Sequence, residues 1–578
     1  MFIFYDTETK EVKHKGVGKK HKLKLGWACY WRRRSDVKDD TLEWFFFRTV
    51  KDFWNFVESK SRPKTKIHLI AHNQSFDLPI LHAFSELLKR KWKMKAFYEK
   101  KPVHIITYKR GSKTLLILDN GNFFKGKLET LGESVGLTKL TVNFENSTYK
   151  ELKEYCRRDV EIMVRAWRRW LSFHEDFDLG SFAPTISGQA MKTFRHRFMD
   201  HDIYIHDRVW ATKMERDAYF GGRCECFFIG KVPFTPIYYL DVTSMYPFVM
   251  STISVPIKLV DRIRHVKPKD LKVMIKNHAV IAQVTINTKN NCYPVRAKEK
   301  IIFPVGTFET TLATPEVELG LKNRDIKAIE KVILYGPGII FKSYVDFFYT
   351  ERQKALLSGD TSQSVFIKYL LNSLYGKFGQ KSHSWKTIGE CEPNKIESWL
   401  EINPDTGKRI YYRCFAGYIQ RQEPPTESFD SFPAIAAHIT SAARVYLWKL
   451  MEQAGKENVF YCDTDSLFVN TDGYIRLKDY IKENTLGALE VKREGTKLVI
   501  YGAKHYQLDL AMRRKGIRAN AKEIDKSVFQ QELWPSLSSM IRKGQIDDYT
   551  ILSIQKTLSG KYTKGIVTDT GVVKPLNI

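Results

Sequence analysis

Residues 461–466 read Tyr461-Cys462-Asp463-Thr464-Asp465-Ser466, two carboxylates one residue apart between the apolar runs Val459-Phe460 and Leu467-Phe468-Val469. Alternate side chains of a strand or its turn point the same way, so Asp463 and Asp465 can face one ion together. A lone D-x-D is more often a polar hairpin tip, and a second strand-borne acid far upstream changes that reading. Ile237-Tyr238-Tyr239-Leu240 runs straight into Asp241, then Val242-Thr243-Ser244-Met245-Tyr246-Pro247. Two strands each delivering an acid to one point imply a two-cation site for phosphoryl transfer.

The rest of the chain bounds this idea. Its 578 residues and 43% hydrophobic content describe a multidomain globular protein. Lys and Arg outnumber Asp and Glu by 94 to 65, a net charge of +29. That surplus points to a polyanionic partner, most simply nucleic acid, because each neutralised phosphate releases counterions. No apolar run is long enough to span a bilayer, and the apolar start Met1 to Tyr5 is ended by Asp6 before it could form a signal core. The eight cysteines are scattered without a C-x-x-C pair, which argues against a zinc ribbon or disulfide framework and for a reducing, cytoplasmic setting.

Periodicity predicts mixed α/β structure over the first ~180 residues. Strands are expected at 2–5 and 67–71, a hairpin over 105–118 turning at Arg110-Gly111-Ser112, and a long helix over about 149–173. Basic runs lie at 13–24 and 89–95, the latter with Trp92 between Lys91 and Lys93. Gly121 to Lys127 nearly matches a phosphate-binding loop, but Leu128 stands where a metal-binding hydroxyl is required, so the match is rejected, which argues against an ATP-driven motor. Asp6 and Glu8 alternate at the end of the first strand, Asp77 follows Asn73 and Phe76 after another strand, and Asp159 lies on the long helix one turn beyond Tyr155. Jointly these acids are hard oxygen ligands suited to Mg2+ or Mn2+, with a phenol placed to orient water, as phosphodiester hydrolysis needs.

A second cluster is expected on a helix over about 364–378, where Lys368, Asn372 and Tyr375 fall at i, i+4 and i+7 as one polar stripe capped by Gly376. A cation there can hold a triphosphate while the ring packs on a base. Arg352, one element upstream, can add a second cation on the same phosphates.

These residues, in this order, resemble family B DNA polymerases. Asp241-x-x-Ser244-Met245-Tyr246-Pro247, Lys368-x-x-x-Asn372-Ser373-x-Tyr375-Gly376 and Tyr461-x-Asp463-Thr464-Asp465-Ser466 are similar to motifs A, B and C, and the first-lobe acids to three exonuclease motifs. Tyr219-x-Gly221-Gly222, Thr440-x-x-Ala443-Arg444 and Lys504-x-Tyr506 are similar to smaller signatures of the same family. The intervals from Asp241 to Lys368 and from Lys368 to Asp463 are longer than a palm and fingers connection needs. In that respect, as in compact length, the chain resembles the protein-primed branch found in small linear phage and plasmid genomes.

The resemblance implies a ribonuclease H-like 3′→5′ exonuclease domain (1–185) followed by a right hand. The hand comprises palm (186–252 and 432–525), fingers (341–381) and thumb (526–578), with an insertion at 253–340 that contacts a terminal protein and another at 382–431 that encloses DNA and opens duplex ahead. It implies that Asp241 and Asp465 ligate two Mg2+ or Mn2+ ions with the Val242 carbonyl, Asp463 standing nearer a second layer. Tyr246 would exclude a 2′-hydroxyl, Lys368 and Arg352 would grip the triphosphate, and Asn372 and Tyr375 would shape the nascent pair. Tyr219, Gly221, Gly222, Ser244, Gly376, Thr440, Arg444, Lys504 and Tyr506 would touch primer or template. In the editing lobe Asp6, Glu8, Asp77 and Asp159 would bind two metals, Tyr155 and Lys139 would assist, and Asn73 and Phe76 would hold the frayed primer end.

The implied partners are primer-template DNA, deoxynucleotides and a terminal protein, with the chain a monomer or a heterodimer with that protein. Priming by nucleic acid or without a primer stays open. A non-catalytic nucleic-acid scaffold would be expected to have lost acids, and none of the seven is missing.

Overall fold

The computed structural model describes residues 1–12, 18–33 and 41–578, so residues 13–17 of the expected basic run at 13–24 lie outside the described residues. The first strand, Phe2–Val12, is buried on both faces: Ile3 and Tyr5 enter one apolar cluster, Phe2 and Phe4 another. It pairs antiparallel with Lys19–Arg32 and parallel with Lys66–Ala71, which pairs parallel with Lys113–Asp119; Thr41–Phe47 flanks Lys19–Arg32. Three antiparallel strands continued by two parallel ones is the ribonuclease H-like order. Val103–Arg110 and Lys93–Lys100 extend the sheet antiparallel, the former closing the expected hairpin at Gly111.

Helix Tyr149–Asp176 packs across this sheet. A capping box fixes its start, with Thr148 and Glu151 satisfying each other's backbone N–H groups. Its apolar stripe, including Leu152, Val160, Met163 and Trp167, is buried against the first strands. Trp92 is only 2% exposed, under the Arg110 guanidinium at 4.9 Å, so it is core and not a stacking platform in a basic run.

The second half is built on an antiparallel five-stranded palm sheet ordered Leu489–Gly495, Ile237–Val242, Ser466–Val469, Val459–Asp463, Cys224–Cys226. Helix Pro433–Ala454, apolar around most of its circumference, is buried behind it. Helices Lys342–Leu357 and Thr361–Ser373, within the segment expected to form the fingers, pack side by side. The expected single helix over 364–378 is two, Thr361–Ser373 and Tyr375–Phe378, joined at Leu374.

Two further four-stranded antiparallel sheets fall within the intervals 253–340 and 382–431. One is Val255–Arg264, Ile326–Gly338, Ala279–Thr288, Gly306–Ala313; the other is Trp385–Glu390, Tyr418–Gln422, Arg409–Phe415, Glu397–Ile402. Near the C-terminus, Lys522–Asp525 pairs with Val528–Leu533, so a division at 526 cuts a hairpin. Thr550–Thr557 continues that hairpin and joins the first lobe through Lys19 and Lys20, tying the end of the chain to its beginning in one ten-stranded sheet among the described residues.

Candidate active sites

In the palm, Asp241 ends one strand and pairs in register with Ser466 of the next, while the Val242 N–H donates to the Asp465 carbonyl at 2.8 Å. The D-x-D segment is a tight turn, with Thr464 in the left-handed region at φ 67°, so simple strand alternation does not align the two acids. Asp465 is instead electrostatically closest to Asp241: burial and then the Asp241 charge push its carboxyl up to about 6. Asp241 is likewise raised by burial, and the Lys492 and Lys368 ammonium groups oppose that rise. Asp463 is 8% exposed and held aside, its Oδ1 accepting from the Lys504 ammonium at 3.0 Å and from Thr464 Oγ1 at 3.2 Å.

Tyr246, on helix Met245–Thr252, stacks on Tyr375 with ring centroids 4.7 Å apart and planes 7° from parallel. Lys368 and Asn372 are exposed one turn apart on the fingers helix, the Asn372 amide donating to the Lys368 carbonyl. Arg352 reaches Ser244 Oγ at 3.5 Å, and its buried Nε has no partner. Gly376 is exposed, with open space where a Cβ would stand. A Cβ on Gly222 would lie 2.9 Å from Thr464 Cγ2 and 3.2 Å from Tyr246 Oη, so that loop passes tightly over the acid-bearing turn. Tyr219 is half-buried and lies over Gly379. Tyr506 packs its ring against Tyr461 and Phe468.

Two expected DNA contacts are corrected. Arg444 is 2% exposed, its guanidinium bound to both Glu316 carboxylate oxygens at 2.8 and 3.1 Å and to the Phe220 and Gly221 carbonyls at 2.8 and 2.9 Å. Committed to those four acceptors, it positions the Tyr219–Gly222 loop and cannot grip a phosphate. Thr440 is also buried, its hydroxyl donating to the Ala437 carbonyl.

In the first lobe, ligand atoms of Asp6, Glu8 and Cys156 lie within 4.8 Å of one another. Asp77 accepts from Thr7 Oγ1 at 2.7 Å, which draws it to the same strand end. Asp159 Oδ2 pairs with the Lys139 ammonium, and the buried Oδ1 has no partner. That ammonium also sits 4.1 Å from the Tyr155 ring. Burial, then the charges of Asp159, Asp77 and Glu8, hold the Asp6 carboxyl far above its usual range. Glu8 is pushed up to about 8 by burial and then by Asp159, and Asp77 to about 7 by burial. Crowded buried carboxyls with one orphaned oxygen fit a divalent cation, whose charge would relieve their repulsion.

The Phe76 ring meets rings from far along the chain, with centroids 5.7 Å from Trp534, 5.0 Å from Tyr549 and 5.9 Å from His21. Asn73, at φ 81°, accepts from the Phe76 N–H and begins the helix that carries Asp77. Glu316, Trp534, Tyr549 and Cys156 carry no sequence signal of their own; each is placed by long-range packing.

The model of the family described as "DNA polymerase type B, organellar and viral" matches residues 137–398. A DNA-directed DNA polymerase of Enterobacteria phage PRD1 is 31% identical over 56% of this chain and 54% of its own length. A DNA polymerase of Kluyveromyces lactis is 26% identical over 66% of this chain and 39% of its own. The chain thus spans about half or less of these curated relatives. In fold, it is similar to Phi29 DNA polymerase complexed with primer-template DNA, with a TM-score of 0.69 at 15% identity, covering 96% of this chain and 100% of that one. No helix among the described residues is long and apolar enough to cross a membrane.

Proposed function

We propose that the chain, which is similar to the organellar and viral type B DNA polymerases over residues 137–398, is a DNA-dependent DNA polymerase with 3′→5′ proofreading that copies a small linear genome from a protein primer in the host cytoplasm. The observation that carries this reading is the convergence of Asp241 and Asp465 from hydrogen-bonded neighbouring strands, with the Lys368 charge acting on Asp241 from helix Thr361–Ser373.

Asp241, Asp465 and the Val242 carbonyl would hold two Mg2+ or Mn2+ ions, which when bound lower the pKa of a primer hydroxyl and neutralise charge on the α-phosphate and pyrophosphate. Lys368 and Arg352 bind the triphosphate tail, and Lys368 also offsets the Asp241 charge before substrate arrives. The Tyr246–Tyr375 stack forms a rigid floor under the sugar of the incoming nucleotide, and its closeness to Gly222 leaves little room for a 2′-hydroxyl. Lys504 keeps Asp463 turned away, so that Asp465 faces Asp241.

In the first lobe Asp6, Glu8, Asp77 and Asp159 would hold the second ion pair, Tyr155 orients water, and Lys139 anchors Asp159. Asn73 and Phe76 receive the frayed primer end. Residues 253–340 take the terminal protein, and 382–431 enclose DNA and open the duplex ahead.

The test is extension of a primed template by the purified chain with deoxynucleotides and Mg2+, and degradation of a single strand without nucleotides. Incubation with template, labelled nucleotides and a candidate terminal protein tests priming: a nucleotidylated protein supports it, and extension from oligonucleotide primers alone removes that element.

A further inference from the structure

Strand Leu489–Gly495 pairs with the strand that carries Asp241, and Asp241 stands in register with Glu490. Val491 then opposes Leu240 and Arg493 opposes Tyr239, so Lys492 is the extra residue of a β-bulge. Bulges re-aim the side chains they carry. This one brings the Lys492 ammonium back onto the Glu490 carboxylate, beside Asp241. The Lys492 side chain stays 44% exposed, whereas that of Glu490 is 19% exposed and is further fixed by the Asn484 N–H at 3.1 Å.

Burial raises Asp241, and among the charges around it Lys492 acts most strongly, ahead of Glu490 and Lys368. The Lys368 charge acts from helix Thr361–Ser373 and the Lys492 charge from the palm sheet. The Asn484 carbonyl accepts from Tyr349 Oη at 2.8 Å and from the Gln353 amide at 2.9 Å, both on the helix that carries Arg352. The segment that fixes Glu490 therefore abuts the Arg352 helix, and Arg352 itself reaches Ser244, three residues beyond Asp241. Lys368, Arg352 and Lys492 thus come to the Asp241 end of the palm from three separate elements. A half-exposed ion pair such as Lys492–Glu490 is held weakly. A polyphosphate carries several charges where Glu490 carries one, so it can draw the ammonium away.

We propose that Lys492 binds the β- and γ-phosphates of the incoming nucleotide and stays with the pyrophosphate as it departs. This rests on the polymerase reading and adds a palm residue to Lys368 and Arg352 on the triphosphate. In the transfer, the primer 3′ oxygen bonds to the α-phosphorus and its proton passes to water. The bond from that phosphorus to the bridging oxygen breaks, its electron pair stays on the pyrophosphate, and the growing charge meets the ammonium. Glu490 is the partner on which Lys492 rests between cycles.

The test measures affinity without chemistry. A matched deoxynucleotide, fluorescently labelled on its base, is titrated with Mg2+ onto the full chain bound to a primer-template that ends in a dideoxynucleotide. Lys492→Ala should weaken nucleotide binding ~10-fold and slow pyrophosphorolysis of an unblocked primer at least ~10-fold, with primer-template affinity and single-strand degradation unchanged. Lys492→Arg should keep both within ~3-fold of the parent. Glu490→Gln, which releases Lys492, should bind the nucleotide at least as tightly as the parent. Parent-like nucleotide binding by Lys492→Ala overturns the proposal. So does equal weakening by Glu490→Gln, because Lys492 would then serve only to neutralise that carboxylate. Failure of the unaltered chain to extend an open primer-template would instead refute the polymerase reading itself.

Discussion

Glu316→Gln tests how the palm is held together. Glu316 is fully buried and Arg444 is 2% exposed, joined by two hydrogen bonds of 2.8 and 3.1 Å. Removing one charge strands the other in an apolar interior, a loss of ~3–5 kcal/mol. The stranded guanidinium still meets the Phe220 and Gly221 carbonyls, so the damage should concentrate in the Tyr219–Gly222 loop. If local opening of the loop accounts for ~3 kcal/mol, amide exchange at 219–223 should speed up by a factor of ~10² or more. Glu316→Leu with Arg444→Met should recover much of this stability, because no lone charge remains. Hydrogen exchange with mass detection measures both variants. Exchange within ~3-fold of the parent in Glu316→Gln, or a double variant worse than the single, refutes the reasoning.

Other outcomes follow from the same geometry. Glu8 and Asp77 sit at about 8 and about 7, raised above their unfolded values. Their contribution to metal-free stability is therefore full below about pH 4 and lost as pH rises toward 8. Mg2+ should raise the melting temperature more at pH 8.5 than at pH 6, where it must displace protons, and Asp6→Ala with Glu8→Ala should remove most of that difference and single-strand degradation while sparing synthesis. Lys139→Ala frees Asp159 and should lower degradation ~10–100-fold with extension unchanged, measured on a labelled single strand. Gly222→Ala places a Cβ 2.9 Å from Thr464 and should cut nucleotide incorporation at least ~10-fold by single-turnover kinetics, with normal folding by circular dichroism.

The acids were legible in the sequence because each stands at the end of an apolar strand or on a periodic helix, as with Asp241 after Ile237 to Leu240 and Asp159 one turn from Tyr155. The long helix was legible too, since its stripe of apolar residues and its Thr148 cap act locally. What was not legible depends on residues distant in the chain. Glu316 meets Arg444 across 128 positions, and Trp534 and Tyr549 reach Phe76 from far along the sequence. An arginine in a family-like signature thus read as a phosphate contact, when its charge is spent on a buried glutamate. The D-x-D pair misled in a smaller way: alternation holds in a strand, and Thr464 in the left-handed region makes the segment a turn. Edge pairing between Lys19–Arg32 and Thr550–Thr557 has no local signal at all.

The central claim is that Asp241 and Asp465 share divalent cations at which a nucleotide is joined to a primer. Single-turnover incorporation by Asp465→Asn, with primer-template affinity measured alongside, tests it most directly. The account predicts incorporation slower by at least ~10³, about 4 kcal/mol of barrier, with DNA affinity largely kept. Incorporation near the parent rate would contradict it.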